Sequence, residues 1–237
     1  KDAFDNKLII SAIKGIVPGH DQLVSEYLFN EFGVKHDQFI NISGPSHAEE
    51  VAFERRTYLT LAAHSYDNAA YIADLLNTYF LTIRISQDIE GLEYAAVLKN
   101  VYAIAGGICN SLGYGDNFQA VLVAAATREM QKFLDTVPPA KRNILDFGYL
   151  GDLLVTAYSQ FSRNRTFGNM IGKGYSTNAA LMEMNMVPEG YYAIDPAYHL
   201  VNKYHVKAPI LTAVYHILHE GKPADEMIDD IADELGR

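Results

Sequence analysis

The sequence predicts a chain of two parts, a largely parallel α/β sheet over residues 1–88 followed by an all-helical part over residues 89–237. Two observations predict this fold class. Up to Asp88, strand-like apolar runs alternate with segments of helical spacing through short links, which is typical of a parallel sheet with crossover helices. After Asp88, every periodic segment repeats its apolar residues at the three-four spacing of a helix.

The first part is expected to contain four strands and three helices. The run KLIISAIKG at 7–15 is apolar and β-branched, which predicts a buried parallel strand. Further strands are expected in QFINISGPS, stopping at Gly44-Pro45, in TYLTLAAHS from Thr57 and in FLTIRISQD from Phe80. Helices are expected in HDQLVSEYLFNEFG from His20, in AEEVAFERR from Ala48 and in DNAAYIADLLNTY from Asp67.

The second part is expected to contain only helices. The last of them has an apolar face and an acidic face, which is typical of a helix on the protein surface. The predicted helices cover 91–112, 117–136, 142–158, 166–184, 190–204, 207–220 and 223–236.

Composition excludes several classes of protein. The formal charge of −10 argues against general attraction to nucleic acid or to an anionic membrane. The apolar run after Lys99 is too short, and too interrupted by Gly, Asn and Ser, to span a bilayer. A single cysteine, Cys109, and a first segment without signal-peptide layout fit a cytoplasmic protein. The eight histidines have no paired spacing and no cysteine partner, so no metal site is predicted.

One lysine stands alone in the most apolar stretch. Between Glu93 and Asp116 only Lys99 is formally charged, and Asn100 follows it. The helical spacing of the apolar residues places Lys99 in a largely buried helix. A buried ammonium is costly unless it meets an anion or gives up its proton, and lysines placed in this way serve as general acids or bases. The alternative is a lysine whose stem is buried and whose charged head reaches solvent.

A second polar group, SRNR at 162–165, follows an apolar helix that carries Asp152, Thr156 and Ser159. The planar fork of arginine donates two hydrogen bonds to a phosphate and keeps its charge. In an acidic chain, this cluster predicts a phosphate site. The alternative is an exposed turn whose arginines cap helix carbonyls.

Five ordered segments carry a family resemblance. They are SAIKG at 11–15, SGPSHAEEV at 43–51, LKNVYAIAGGICNSLGYGDN at 98–117, LGDLLVT at 150–156 and SRNRTFG at 162–168. Together they resemble the successive signature segments of bacterial NAD(P)-dependent glycerol-3-phosphate dehydrogenases. The likeness continues through VPEG at 187–190 and PILTAVYHIL at 209–218.

The resemblance implies an enzyme that interconverts sn-glycerol 3-phosphate and dihydroxyacetone phosphate with NAD or NADP, and that supplies glycerol phosphate for phospholipid synthesis. It implies a Rossmann-type cofactor domain in residues 1–88, a helical substrate-binding and dimerisation domain in 89–237, and a homodimer. Lys99 matches the catalytic acid/base, which Asp152 would hold and orient. The other implied substrate contacts are Lys14, Gly44, Ser46, Asn100, Asp152, Thr156, Ser162, Arg163 and Asn164, and the implied cofactor contacts are Lys14, Ala48, Arg163, Val187 and Glu189.

The sequence departs from the family pattern in four places. His47 replaces a phenylalanine, Tyr94 replaces a small residue, and AAAT at 124–127 stands where the family often has Thr-Arg-Gly. No GxGxxG turn follows a strand, although a dinucleotide domain opens with one. We therefore expect a fragment that lacks about ninety residues of the cofactor domain, binds NAD(P) poorly and turns over little.

Two alternatives remain open at this point. The first is a related dehydrogenase of another phosphorylated or carboxylated hydroxy compound, since a Lys-Asn pair on a helix after a Rossmann-type domain recurs in such enzymes. The second is a non-catalytic helical fragment that mediates oligomerisation.

Overall fold

The computed structural model describes residues 2–138 and 142–236, and for Asp2 the backbone alone. The chain forms two compact units. The first unit comprises residues 1–96 and 137–152, and the second comprises 97–136 and 153–237. The domain boundary at residue 88 stays a prediction, because this partition follows contacts within the chain and not the limits of family domains.

The described residues form six strands and eleven α-helices. The strands are β1 (Ile9–Ser11), β2 (Ile16–Val17), β3 (Gln22–Leu23), β4 (Phe39–Ser43), β5 (Thr57–Ala63) and β6 (Leu81–Ser86). The helices are α1 (Val24–Phe32), α2 (Ala48–Ala52), α3 (Tyr66–Leu76), α4 (Ile89–Ser111), α5 (Asp116–Leu134), α6 (Asp152–Tyr158), α7 (Arg163–Gly172), α8 (Thr177–Glu183), α9 (Glu189–Lys203), α10 (Pro209–His219) and α11 (Ala224–Leu235). The predicted fold class, a parallel-rich sheet followed by helices, is confirmed.

The main sheet has the strand order β1-β4-β5-β6. The pairs β1–β4 and β5–β6 are parallel, whereas β4–β5 is antiparallel. The lengths of the connecting helices explain this difference. Helix α3 has eleven residues and rises about 16 Å, enough to carry the chain back along β5, while the five residues of α2 rise only about 7.5 Å. After the short link through α2, strand β5 therefore runs antiparallel to β4.

The prediction of a buried first strand is wrong in two respects. Strand β1 covers only three residues of the predicted 7–15 and lies at the edge of the sheet, with 43% of Ile10 exposed. The first helix also begins at Val24 and not at His20. Gly19 and Asp21 both have positive φ, so the chain turns there and residues 16–23 form the small β2–β3 hairpin.

The core of the first unit lies between the sheet and α3. Side chains of β4 and β5 pack against one apolar face of α3, so the helix covers the sheet with a continuous apolar layer. The buried members are Ile40, Leu61, Ala63, Ala69, Ile72 and Ala73.

The helix predicted over 142–158 begins only at Asp152. The side chain of Asn143 accepts a hydrogen bond from the backbone N–H of Leu145 at 3.2 Å, a local turn that competes with helix formation. Residues 147–151 then form a single π-helical turn. This segment is fixed to the start of α4, because Arg142 donates to both carboxylate oxygens of Asp88 and the hydroxyl of Tyr149 donates to the same carboxylate.

Helix α4 is buried along nearly its whole length. Burial raises the pKa of its Cys109 thiol to about 12, as expected for a structural cysteine. Although α4 is long, the described part of the chain contains no helix apolar enough over a sufficient length to cross a membrane.

Glycines allow α4 and α7 to pack with their backbones almost in contact. A Cβ atom on Gly168 would overlap the carbonyl oxygen of Ile104 and lie 3.1 Å from the Cα atom of Gly107. The helix predicted over 166–184 is two helices, because Gly174 adopts φ of +90° and ends the α7 segment before α8 begins.

A buried carboxyl group holds the first turn of α10. Glu129 on α5 accepts the backbone N–H groups of Ile210 at 2.6 Å and of Leu211 at 3.3 Å, and also the hydroxyl of Tyr102. Only 4% of Glu129 is exposed, and burial raises its pKa to about 7 despite these three donors. The carboxyl group of Glu129 therefore changes from protonated to ionised near neutral pH.

As the pH rises from about 5 to about 8, we expect the free energy of unfolding of Glu129→Gln to increase by about 2 kcal/mol relative to that of the wild type. Because the folded pKa is raised from 4.5 to about 7, the stability that the protonated carboxyl contributes is complete below about 4.5 and is lost as the pH rises through about 7. Glutamine has nearly the same shape and does not titrate. Urea unfolding of both proteins at the two pH values measures the difference, and an equal difference at both would contradict the prediction.

Candidate active site

Lys99 lies in the middle of α4 and is buried, with 4% of its surface exposed. Its Nζ atom donates a hydrogen bond to the hydroxyl oxygen of Thr156 on α6 at 3.1 Å, and Thr156 is also buried. The alternative of a lysine that extends its charged head into solvent is therefore wrong. Burial and a fixed hydroxyl partner hold this amine in one position, as a group that transfers protons requires.

A chain of hydrogen bonds next to Lys99 fixes the side chain of Asn164. The backbone N–H of Gly190, at the start of α9, donates to Oδ1 of Asn164 at 2.9 Å. Nδ2 of Asn164 donates in turn to Oδ1 of Asn100 at 2.9 Å. A backbone N–H can only donate, so the orientation of both side-chain amides follows from it.

The last atom of this chain is a donor. Nδ2 of Asn100 is buried and has no hydrogen-bond acceptor among residues 2–138 and 142–236, and 4% of the residue is exposed. A buried amide group without an acceptor costs about 1 to 3 kcal/mol. Beside a buried lysine, such a donor is suited to an oxygen atom of a bound molecule.

The SRNR segment forms the first turn of α7. The hydroxyl of Ser162 accepts the backbone N–H of Arg165 at 3.3 Å, so Ser162 caps the helix. Arg163 forms an ion pair with Glu189 on α9, and both side chains are partly exposed. The alternative in which these arginines cap helix carbonyls is wrong, because Arg163 donates to the side chain of Glu189 and Arg165 to that of Asn110. Cations at that end add to the positive helix dipole, so this turn favours an anion.

In the first unit, Asp152 contacts two of the predicted residues, Gly44 and Lys14. Oδ2 of Asp152 accepts the backbone N–H of Gly44 at 3.3 Å and lies 4.0 Å from Nζ of Lys14. Asp152 is 1% exposed and the Lys14 side chain 28%. Gly44 has φ of +125°, and a Cβ atom there would lie 2.9 Å from the carbonyl oxygen of Tyr58, so this position requires glycine.

The remaining predicted residues lie closer to the surface. Ser46 is half-buried, Ala48 is exposed at the first position of α2, and Val187, just before α9, is 55% exposed. Of the positions that depart from the family pattern, His47 precedes α2 and Tyr94 is buried in α4. No cluster of three or more possible metal ligands occurs in the described ranges.

Sequence reasoning missed two residues of these networks. Gly190, whose N–H orients Asn164, was only part of a family motif in the sequence. Glu93 is 3% exposed and accepts both the backbone N–H and the hydroxyl of Ser25. The signal for Glu93 was present, since an acidic residue in an apolar helix is as unusual as Lys99 in the same helix.

A parallel-rich sheet, a helical unit and a buried Lys-Asn pair on the helix after the sheet define the class of two-domain dehydrogenases. Comparison with known proteins gives the family. The family model described as NAD-dependent glycerol-3-phosphate dehydrogenase N-terminus matches residues 2–69, and the model of the C-terminus of the same family matches 88–229. This chain belongs to the NAD-dependent glycerol-3-phosphate dehydrogenase family.

Individual relatives agree with the family models. The glycerol-3-phosphate dehydrogenase [NAD(P)+] of Staphylococcus saprophyticus is 37% identical over 226 residues, which are 95% of this chain and 68% of that protein. The enzyme of the same name from Chlorobium luteolum is 34% identical over 96% of this chain and 69% of its own length. The chain thus spans about two thirds of the length of these relatives.

Solved structures show the same fold. The crystal structure of glycerol-3-phosphate dehydrogenase from Coxiella burnetii has a TM-score of 0.90 and 28% identity, and covers 95% of this chain and 68% of that one. The glycerol-3-phosphate dehydrogenase of Saccharomyces cerevisiae has a TM-score of 0.79 at 22% identity, covers 94% of this chain and 67% of that one, and supports the fold alone.

The variant Asn164→Asp tests the hydrogen-bond chain. The new carboxylate still accepts the N–H of Gly190, but its second oxygen faces Oδ1 of Asn100, so we expect the free energy of unfolding at neutral pH to fall by about 1 to 3 kcal/mol. The matched control is Asn110→Asp, because Nδ2 of Asn110 donates to Asn169 between the same two helices at an exposed site. Urea unfolding should show a smaller loss for the control, and equal losses would contradict the proposed orientation of the amides.

Proposed function

We propose that this chain provides the substrate site of an enzyme that interconverts sn-glycerol 3-phosphate and dihydroxyacetone phosphate with NAD(P). The observations that carry the proposal are the buried Lys99, fixed by Thr156, and the unpaired amide donor of Asn100, the next residue of α4. Membership of the dehydrogenase family supports the same activity.

Lys99 is the proposed acid/base. Oxidation of a secondary alcohol requires a base for the hydroxyl proton, and reduction of the ketone requires an acid that returns it. The Nζ atom of Lys99 takes or gives this proton at the substrate oxygen. The hydroxyl of Thr156 accepts a hydrogen bond from Nζ and so holds the amine in position, and Nδ2 of Asn100 donates to an oxygen of the substrate.

The first turn of α7 is the proposed phosphate site. The guanidinium of Arg163 and the amino end of the helix provide positive charge in an otherwise acidic chain. Ser162 and Asn164 lie in the same turn and are buried, which supports their assignment to the substrate. Binding the phosphate away from the reacting carbon would fix the position of that carbon and of the oxygen atom that exchanges its proton with Lys99.

Lys14, Gly44, Ser46 and Asp152 are the proposed substrate contacts of the first unit. Their support is the cluster in which Asp152 accepts the N–H of Gly44 beside the ammonium of Lys14. The assignment of Ser46 rests on the family motif, as does the prediction that Asp152 orients Lys99, and both stay predictions.

The residues proposed to hold NAD(P) are Lys14, Ala48, Arg163, Val187 and Glu189. They suit a ligand with flat aromatic rings and charged phosphates, because Val187 exposes an apolar side chain and Arg163 a partly accessible guanidinium. When bound, NAD(P) accepts or supplies the hydride.

We also propose that the protein is a cytoplasmic homodimer that supplies glycerol phosphate for phospholipid synthesis. Sedimentation equilibrium tests the dimer.

The variant Lys99→Met tests the acid/base assignment. Methionine fills the space of the lysine stem and cannot exchange a proton, so we expect kcat to fall by at least about 100-fold while the protein stays folded. Oxidation of NADH and of NADPH by the complete gene product is measured with dihydroxyacetone phosphate. The function fails if the wild type is inactive with both cofactors, and the role of Lys99 fails if the variant retains a tenth of the wild-type rate.

The arginines of α7 distinguish phosphate recognition from general electrostatics. We expect Arg163→Ala to lower kcat/KM for dihydroxyacetone phosphate by about 100-fold, because a charged hydrogen bond to phosphate is lost. Arg165 is the matched control, since it lies two residues after Arg163 in the same turn and donates to Asn110. Arg165→Ala should change kcat/KM by less than about threefold. Similar losses in both variants, or a substrate without phosphate that is used equally well, would favour the alternative of another hydroxy compound.

A further inference from the structure

Helix α4 contains a buried carboxyl group that the proposed reaction does not use. Glu93 is 3% exposed and lies in the part of α4 that belongs to the first unit. Burying a carboxyl group is costly unless hydrogen bonds compensate it. We therefore expect the carboxyl group of Glu93 to make hydrogen bonds that stabilise a particular arrangement of the chain.

Both oxygen atoms of Glu93 contact one residue. Oε1 accepts the backbone N–H of Ser25 at 3.2 Å, and Oε2 accepts the Ser25 hydroxyl. Ser25 is fully buried in the first turn of α1. Glu93 thus fixes the beginning of α1 to α4 by two bonds that span 68 residues of sequence.

The beginning of α1 is continuous with the β2–β3 hairpin. Strand β3 ends at Leu23, and Ile16 in β2 pairs with Leu23. Within the same turn, the carboxylate of Glu26 accepts the N–H of Leu23 at 3.0 Å and so links the end of β3 to the first turn of α1. Ser25, Leu23 and Ile16 are therefore linked by one continuous path of backbone and strand pairing.

Lys14 is two residues from Ile16. Its Nζ atom lies 4.0 Å from Asp152, and its side chain is only partly buried, so this single ion pair alone holds it weakly. The backbone that carries Lys14 lies between β1, which ends at Ser11, and the hairpin, which begins at Ile16. The hairpin is the ordered element nearest to it in the chain, and Glu93 holds the end of that hairpin.

We propose that Glu93 is a positioning residue that, through Ser25 and the β2–β3 hairpin, holds Lys14 beside Asp152 for the substrate. The inference rests on the proposed role of Lys14. Glu93 itself contacts no reacting group, and its effect is on substrate affinity more than on the proton transfer at Lys99.

The substitution Glu93→Ala tests this role, and Glu129→Ala is its matched control. Both residues are buried glutamates whose carboxyl groups accept hydrogen bonds at the first turn of a helix, and burial raises the pKa of each to about 7. Glu129, however, holds α10 in the second unit, away in sequence from Lys14. A loss of general stability would affect both variants alike.

We expect Glu93→Ala to raise KM for dihydroxyacetone phosphate by about tenfold with kcat changed less than about threefold, because one charged contact is misplaced. Glu129→Ala should leave KM within about twofold of the wild type. Glu93→Gln retains an acceptor for Ser25 and should restore most of the affinity. A raised KM in both alanine variants, or a fall in kcat alone for Glu93→Ala, would overturn the proposal.

Two further measurements on the folded protein do not depend on turnover. Hydrogen exchange of the 16–23 segment and chemical acetylation of Lys14, both read by mass spectrometry, should increase in Glu93→Ala and not in Glu129→Ala. If Glu93→Ala does not fold, Ser25→Ala takes its place. That variant removes only the hydroxyl donor, so exchange and acetylation should still increase, but by less. Unchanged exchange and acetylation in the Glu93 and Ser25 variants would overturn the proposal. Inactivity of the wild type would overturn the proposed function, whereas hydrogen exchange and acetylation would still show whether Glu93 positions Lys14.

Discussion

The side-chain amide of Asn164 accepts the backbone N–H of Gly190 and donates to Asn100, and the site of the second unit depends on this pair of bonds. Because an N–H group can only donate, the start of α9 determines which way Asn164 faces, and Asn164 determines which way Asn100 faces. The result is a buried donor on the residue that follows Lys99 in α4. Close packing makes this possible, since a Cβ atom on Gly190 would lie 2.6 Å from the carbonyl oxygen of Asn100.

The first unit uses buried carboxylates for a comparable purpose. Asp88 joins the start of α4 to Arg142 and Tyr149, Glu93 joins α4 to α1, and Asp152 joins Gly44 to Lys14. Each connection spans a long stretch of sequence and replaces water with fixed donors. Such bonds add little net stability, but they leave one arrangement favoured over others, since an unpaired buried carboxylate is costly.

The sequence allowed most elements and the burial of Lys99 to be predicted, because both depend on periodicity within a few turns. The helix at 152, the break at Gly174 and the hairpin at 16–23 were not predicted, because turn residues such as Asn143 and Asp21 overrode apolar spacing there. The antiparallel β4–β5 pair depends on the short α2, whose length is hard to read from sequence. Hydrogen bonds such as those of Gly190 and Glu93 connect distant segments and have no local signature.

The first turn of α7 shows why the site residues could still be recognised. Two arginines at the amino end of a helix oppose the macrodipole, and Arg163 is only partly compensated by Glu189. A stabilising design would place acidic residues there. The unfavourable placement becomes favourable when an anion binds, because the Arg163 guanidinium and the helix dipole then act on it together. Local sequence rules are broken at this turn, which is proposed to bind the phosphate group, and at Lys99, which is proposed to transfer the proton.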